Sequence, residues 1–273
     1  MKSNRLKIVR QGQLCYIQFP KLLACEQVRH LFSTRHGGVS TGDCATMNLG
    51  FNKDTSRENV LENFRILCSA IGTDPKNLVL SRQTHTDNVV IVNESHRGTG
   101  IYKPSFSDVD GLITNCRNVA LVTQYADCTP LVFCDPVEGV IATSHAGWRG
   151  TVKRIGAVTV KKMADEFGCN MKNIIAGIGP CIGKCCYEVD DPVYNEFKNA
   201  GFSELENLFF KKENGRYMLD LAEANRRILI EAGIDPEKID VTDICTCCNH
   251  NDLHSHRATG GKRGNLALIV ELI

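Results

Sequence analysis

Short runs of apolar, largely β-branched residues recur along the chain, and they are the feature that most limits its possible folds. The runs lie at residues 89–92, 119–122, 131–134, 140–142, 173–177 and 266–272. Segments this short and this apolar are typical of strands that are covered on both faces. The sequence therefore predicts a sheet buried inside the molecule.

Helical patterns alternate with these runs. Val60, Phe64, Leu67 and Ile71 recur at helical spacing, and residues 55–58 have the form of a capping box just before them. Further helices are predicted at residues 151–167, which Gly168 ends, and near residues 192–200 and 221–232. The alternation predicts an α/β fold with mixed β-sheets flanked by helices.

The chain shows no sign of division into several domains. It contains no Pro/Ser-rich linker, low-complexity stretch or repeat period, so a single domain over residues 1–273 is predicted. Asn214-Gly215, between the apolar pairs at residues 209–210 and 217–218, predicts a hairpin turn.

Charge and hydropathy exclude several classes of partner. Lys plus Arg number 32 and Asp plus Glu 31, so no global field favours nucleic acid or an anionic membrane. No run of about 18 apolar residues could span a membrane, and no apolar segment follows the basic N-terminus as in a signal peptide. We expect a cytoplasmic protein, monomeric or weakly homo-oligomeric, with most of its 14 cysteines reduced.

Three segments each place a metal ligand beside a predicted strand end. His85 follows one strand, Cys128 lies between two apolar runs, and His145 lies where a strand gives way to a helix. Two imidazoles and a thiolate suit a catalytic zinc site, which has three protein ligands and one open position. Because no tight spacing joins the segments, core packing or surface exposure is the alternative for each residue alone.

The motifs around these residues follow one another over nearly the whole chain. They are residues 33–40 (STRHGGVS), 47–50 (MNLG), 83–85 (QTH), 108–111 (DVDG), 126–130 (ADCTP), 145–150 (HAGWRG), 177–182 (GIGPCI), 187–189 (YEV) and 255–257 (SHR). Through this ordered set the sequence resembles the YfiH/laccase-domain family, also called the polyphenol oxidase-like or purine nucleoside phosphorylase family. The hexapeptide HAGWRG is rare, so the match is specific.

The resemblance implies a fold, a cofactor and a reaction. It implies one α/β domain with a zinc ion held by His85, Cys128 and His145. It also implies phosphorolysis of adenosine, inosine or methylthioadenosine to the free base and ribose 1-phosphate or its methylthio analogue, with adenosine deamination as a further activity. Purine nucleosides and phosphate would be the partners. The chain departs from the family at Ala258, where members usually carry a second arginine after Arg257.

Four residues of the motifs are candidates for substrate binding. Arg35, in a Gly-rich loop, and Arg149, beside a predicted helix start, suit an anion such as phosphate. Gln83 and Asn48 could each hold a ribose hydroxyl or a base edge. Capping of the backbone is an equal alternative for Asn48.

Cys128 and Asp127 are the candidate catalytic residues. Asp127 could act as a general acid or could orient a neighbouring ligand, and the second role is favoured. Cys128 beside a histidine could alternatively be an activated nucleophile. A laccase-like copper polyphenol oxidoreductase is the other alternative, although two His and one Cys account for one copper ion and not for a multicopper cluster.

Two cysteine clusters stand apart from this constellation. They contain Cys181, Cys185 and Cys186, and Cys245, Cys247 and Cys248 with His250. Such ligands could form a structural zinc or an iron–sulfur centre. Their spacings match no standard zinc knuckle, and free cysteines commonly just pack in the interior. A second metal site is therefore left open by the sequence.

Overall fold

The computed structural model describes every residue of the chain except Thr55. The strands are β1 (Lys7–Gln11), β2 (Leu14–Gln18), β3 (Val28–Ser33), β4 (Leu78–Arg82), β5 (Val89–Ile91), β6 (Phe106–Ser107), β7 (Gly111–Thr114), β8 (Ala120–Tyr125), β9 (Thr129–Asp135), β10 (Val140–Ala146), β11 (Ile175–Ile178), β12 (Glu188–Val189), β13 (Phe209–Lys211), β14 (Tyr217–Leu219), β15 (Ile239–Val241) and β16 (Leu266–Leu272). The α-helices are α1 (Pro20–Leu23), α2 (Arg57–Ile71), α3 (Trp148–Val152), α4 (Ile155–Phe167), α5 (Asp191–Asn199), α6 (Leu221–Glu231) and α7 (His256–Thr259). Short 3₁₀ helices cover Gly42–Cys44, Pro75–Asn77, Glu94–His96, Leu205–Asn207 and Pro236–Lys238.

Two large sheets pack against each other and enclose the main core. The first has the strand order β1-β2-β3-β16-β8-β4-β6, and the second has the order β15-β11-β9-β10-β7-β5. Both are mixed, because parallel pairs such as β4–β8 and β5–β7 stand beside antiparallel ones. The core between them includes Phe32, Leu121 and Leu268 of the first sheet and Val132 and Ile141 of the second.

Helices cover the outer faces of the two sheets. Phe64 and Leu67 of α2 lie on the first sheet, and Val160 of α4 and Leu229 of α6 lie on the second. A small third sheet, β12-β14-β13, packs with α5 and the start of α6. The predicted α/β fold with mixed sheets flanked by helices is confirmed.

Helix α2 has the apolar face that the sequence predicts. The helix begins at Arg57, and the side chain of Ser56 caps it by accepting a hydrogen bond from the amide of Asn59. The capping box was predicted to begin at Thr55, which lies outside the described residues. Gly72, in the left-handed conformation with φ 72°, ends the helix.

The prediction of a single helix at residues 151–167 is wrong in one respect. Residues 148–167 form two helices, α3 and α4, because Arg154 adopts the left-handed conformation with φ 59° and interrupts the hydrogen-bond ladder. No glycine or proline marks this break in the sequence. Gly168 ends α4 as predicted, and the other two predicted helices correspond to α5 and α6.

The predicted strands and hairpin are present. Each apolar run lies wholly or mostly within a strand. Strands β13 and β14 pair in antiparallel fashion around Gly215, which has φ 82°. Among the helices of the described residues, none combines the length and apolarity needed to cross a lipid bilayer.

Candidate metal centre and active-site cavity

The three predicted ligands meet at one end of the two packed sheets. His85 follows β4, Cys128 lies in the turn between β8 and β9, and His145 lies near the end of β10. One ligand atom from each lies within 4.8 Å of the other two. The sulfur of Cys128 is 3.8 Å from Nε2 of His85, and the two imidazole ring centres are 4.9 Å apart.

A buried carboxylate, that of Asp110, holds two of these ligands in place. One oxygen accepts a hydrogen bond from Nδ1 of His145 at 2.8 Å, which leaves Nε2 for an ion. The same carboxylate accepts bonds from the backbone amides of Thr84, His85 and Thr86 at 2.9–3.0 Å. These bonds stabilise the left-handed backbone of His85, whose φ is 65°.

Cys128 and His145 shift each other's pKa in opposite directions. Burial raises the pKa of the Cys128 thiol, but the charge of His145 and hydrogen bonds from both histidines outweigh it and lower the pKa to about 6. Burial lowers the pKa of His145, but the Cys128 thiolate and the bond to Asp110 outweigh it and raise the pKa to about 9. Because the thiolate is the form of cysteine that binds metals, the lowered pKa of Cys128 suits a cation, which would take the place of the proton on Nε2 of His145.

The residues present fit a zinc ion in both chemistry and space. Two imidazole nitrogens and a thiolate are a donor set that zinc accepts at catalytic sites. Gly147, two residues after His145, leaves room for the side chains of His85 and Cys128. A Cβ atom at residue 147 would lie 2.8 Å from Cδ2 of His85 and 3.1 Å from the sulfur of Cys128. Any larger residue here would require the two ligand side chains or the backbone to shift.

The ligands form part of the wall of a cavity of about 740 Å³. Small-molecule sites typically have about 300–1,000 Å³, so a nucleoside with phosphate is within range. Among the described residues that line the cavity, six have lysine or arginine side chains and one, Asp127, has a carboxylate. The cationic residues are Lys53, Arg57, Arg82, Arg149, Arg257 and Arg263. This excess of positive charge favours an anionic ligand.

A family model described as "Multi-copper polyphenol oxidoreductase laccase" matches residues 29–273. The chain belongs to this laccase-domain family. Purine nucleoside phosphorylase YlmD of Bacillus subtilis (strain 168) is 36% identical over 241 residues, which cover 88% of this chain and 86% of that protein. A protein named adenosine deaminase RL5, from an unknown prokaryotic organism, is 34% identical over 236 residues, which cover 85% of this chain and 90% of that protein.

The same fold is known from a solved structure. The crystal structure of Bacillus licheniformis hypothetical protein YfiH matches this chain with a TM-score of 0.92 and 32% identity. The match covers 99% of this chain and 100% of that one. The laccase-domain fold therefore extends over nearly the whole chain, and the cavity belongs to that fold.

Two of the predicted substrate-binding residues, Gln83 and Arg149, line the cavity of this laccase-domain protein. The amide of Gln83 already pairs with the backbone of Gln124, at 2.8 Å through its nitrogen and 2.7 Å through its oxygen. Arg149 is exposed and stacks on Trp148, with its guanidinium carbon 4.2 Å from the ring centre. Its guanidinium forms no hydrogen bond with the described residues, so its donors can bind a ligand.

The other two predicted substrate-binding residues, Arg35 and Asn48, are not among the described residues that line the cavity. The guanidinium of Arg35 donates to the backbone oxygens of Ala45 and His250, both at 2.9 Å. Asn48 is fully buried, and its side-chain oxygen accepts bonds from the backbone amides of residues 50 and 265. Both side chains fix loops near the cavity, which for Asn48 is the backbone role that the sequence left open.

Asp127 lies in the cavity wall, but both of its oxygens have protein partners. One accepts from the hydroxyl of Thr246 at 2.6 Å, and the other accepts from the backbone amide of Arg257 at 2.7 Å. A carboxylate held in this way suits the positioning of the C-terminal segment better than proton transfer.

Several residues that line the cavity, or that hold its lining residues in place, were not among the residues predicted from the sequence. Arg263 and Asn265 lie outside the matched motifs, yet both line the cavity. The Nε of Arg263 is buried without a partner among the described residues, and burial lowers the pKa of its guanidinium. Asp110 and Arg257 lie within the matched motifs, and this position was the one sign in the sequence that they matter. Their spacing did not indicate a role.

Proposed function

We propose that the protein is a zinc-dependent purine nucleoside phosphorylase that also deaminates adenosine. Its substrates are adenosine, inosine and methylthioadenosine, with phosphate as the second substrate. One observation carries the proposal: a three-ligand metal group opens on a cavity whose cationic side chains outnumber its carboxylates by six to one. The laccase-domain relative named purine nucleoside phosphorylase YlmD supports the substrate class.

Phosphorolysis requires an anion held beside the sugar. An oxygen of phosphate forms a bond to C1′ of the ribose while the bond from C1′ to the purine nitrogen breaks, and the base leaves with a proton. Arg149 offers donors that have no partner among the described residues, and Arg263 places a second guanidinium in the same cavity wall. Two such fixed cations would bind phosphate and lower the entropic barrier to its attack.

The metal ligands favour zinc over the chemistry that the family description names. Zinc held by His85, Cys128 and His145 would supply Lewis acidity at an open coordination position. Multicopper oxidases need many histidines in close sets. In the described part of the chain, one of the two possible metal-binding groups contains histidine, and it contains two. This group could hold one copper ion but not a multicopper cluster.

Deamination of adenosine is the second reaction in the proposal. Water replaces the amino group at C6 of the purine and ammonia leaves, which a metal near C6 promotes. The relative named adenosine deaminase RL5 supports this activity. The same cavity would serve both reactions, because the described residues place the His/Cys metal group in its wall.

A chromatographic assay of adenosine and inosine, with and without phosphate and alongside metal analysis, tests the proposal. We expect the wild type to carry zinc at this site, to release adenine and hypoxanthine only with phosphate, and to form inosine from adenosine without it. His85→Ala should lose that zinc and more than about 100-fold of both activities, because one of three ligands is gone. His85 is exposed, so its removal spares the core.

The matched control is His96→Ala, which removes a histidine outside the cavity lining and should change neither zinc content nor rate. Unchanged nucleosides in a zinc-loaded wild type would refute the substrate class. Stoichiometric copper, with oxygen uptake on catechols, would support the polyphenol oxidoreductase instead.

Arg149 gives a separate prediction about phosphate. Arg149→Ala should raise the KM for phosphate about tenfold, equivalent to about 1.4 kcal/mol of binding, and leave the zinc content unchanged. Arg149→Lys, which keeps the charge and loses the planar guanidinium, should fall between the alanine variant and the wild type. Steady-state kinetics at varied phosphate measure the effect, and an unchanged KM in the alanine variant would remove Arg149 from the phosphate site.

A further inference from the structure

A second group of metal-binding side chains lies beside the cavity, where four cysteine thiols come together. They belong to Cys185, Cys186, Cys245 and Cys248, and their sulfur atoms all lie within 4.8 Å of one another. The sulfur of Cys248 is 3.4 Å from that of Cys185 and 3.4 Å from that of Cys186. We propose that these four thiolates bind one zinc ion as a structural site, separate from the site at His85.

The spacing of the sulfurs matches a single tetrahedral ion. Zinc–sulfur bonds of about 2.3 Å place the four sulfurs of a tetrahedron about 3.8 Å apart. The observed contacts of 3.4 Å and the upper limit of 4.8 Å bracket that value. A four-iron cluster inserts a cube of iron and sulfide between its cysteines and needs a wider opening. The geometry therefore favours one mononuclear ion.

Once the structure identifies the four cysteines, the spacing of two of them in the sequence is one that zinc sites use. Cys245 and Cys248 are separated by two residues, which is a common spacing of zinc ligands. No standard zinc knuckle was recognised in the sequence because Cys181 and Cys247 were included in the two clusters. Neither belongs to the four-sulfur group.

Backbone amides point at one of these sulfurs, as expected for a thiolate. The sulfur of Cys245 accepts a hydrogen bond from the amide of Gly183 at 3.2 Å and another from the amide of Cys248 at 3.5 Å. Such donors stabilise the charge on a metal-bound sulfur. Gly183 also allows the two loops to approach, since a Cβ there would lie 3.1 Å from Cβ of Cys245 and 3.3 Å from the sulfur of Cys185.

Apolar packing does not account for this group. Cys25, Cys68, Cys134 and Cys169 are buried within the hydrophobic clusters of the protein. By contrast, Cys185 and Cys248 are exposed, and Cys186 and Cys245 are half-buried. The four thiols contact one another at a place that an ion can enter from solvent.

A zinc ion here would join two loops that support the active-site cavity. One loop carries Cys186, whose backbone oxygen accepts a bond from Nη1 of Arg257 at 3.1 Å. The other carries Thr246, which binds Asp127. As zinc binds, each protonated thiol releases its proton to solvent. The ion would therefore fix the wall that presents Arg257 to the ligand.

Zinc stoichiometry tests the proposal without any activity assay. The full chain, purified under reducing and zinc-replete conditions, should carry two zinc ions by native mass spectrometry and elemental analysis. The double variant Cys185→Ser/Cys248→Ser should carry one, as should His85→Ala, because each change removes a different site. Cys247→Ser is the matched control in the same loop and should keep two. Loss of one zinc ion from the double cysteine variant relative to the wild type reports on the four-thiol site alone, so this comparison holds even if the proposed function fails.

Cobalt gives a second readout that does not depend on the folding of the cysteine variant. His85→Ala loaded with cobalt alone should show the intense thiolate-to-cobalt absorption of a tetrathiolate site. A double cysteine variant that carries as many zinc ions as the wild type under replete conditions would overturn the proposal. Iron with sulfide at these cysteines would also overturn it, as would a disulfide among them that persists in reductant.

Discussion

Asp110→Ala should weaken the binding of the zinc ion that we propose for the cavity site, and it should destabilise the protein. The carboxylate is fully buried and binds Nδ1 of His145 together with three consecutive backbone amides. Hydrogen bonds from His145 and from these amides outweigh the effect of burial and hold the pKa of Asp110 at about 2. We expect zinc affinity to fall at least 10- to 100-fold. The free energy of unfolding should fall by about 3–5 kcal/mol, because several buried donors lose their acceptor.

Competitive chelator titration and chemical denaturation of the metal-free protein measure the two effects. Asp110→Asn keeps the shape but not the charge, so it should lose affinity for zinc with a smaller loss of stability. Asp108→Asn is the control, because Asp108 is exposed and asparagine tolerates its left-handed backbone of φ 56°. An Asp110→Ala variant that held zinc as tightly as the wild type would show that the ligands need no support from this carboxylate.

The parts of the fold that the sequence predicted are those with a local cause. The apolar runs became strands because burial on both faces needs no polar alternation. Gly168 ends a helix because glycine tolerates the left-handed conformation, here with φ 73°. Strand β3 was missed because Arg29 and His30 interrupt its apolar pattern. His30 is buried there, where its Nε2 accepts a hydrogen bond from the amide of Phe19 at 2.9 Å.

The site depends on contacts that no local pattern contains. His85 and Cys128 are 43 residues apart, and the parallel pairing of β4 with β8 in the first sheet brings the loops that carry them together. The resemblance to the laccase-domain family supplied that grouping, while residue spacing could not. Arg263 joins the cavity through a loop outside every motif. Likewise, Cys186 and Cys248 are 62 residues apart, so the four-thiol group appears only once the loops are folded.

Gly147 is the residue whose substitution should most directly disrupt the metal ligands without disturbing the fold. Its φ of −67° is ordinary for any residue, so the requirement for glycine is one of space and not of backbone conformation. The atoms that a Cβ would meet are Cδ2 of His85 and the sulfur of Cys128. Both belong to ligands, and relief of the overlap must separate the ligand atoms or shift the start of α3.

We therefore expect Gly147→Ala to lower zinc affinity and the rate of phosphorolysis by about 100-fold each, while the metal-free protein loses only about 1–3 kcal/mol of stability. Gly168→Ala is the matched control. It places a Cβ at a left-handed position with open space around it, so it should cost about 1 kcal/mol and leave zinc affinity unchanged. If both variants lost zinc equally, loss of metal would follow from general destabilisation. If Gly147→Ala bound zinc like the wild type, the ligands would have room that the structure does not show.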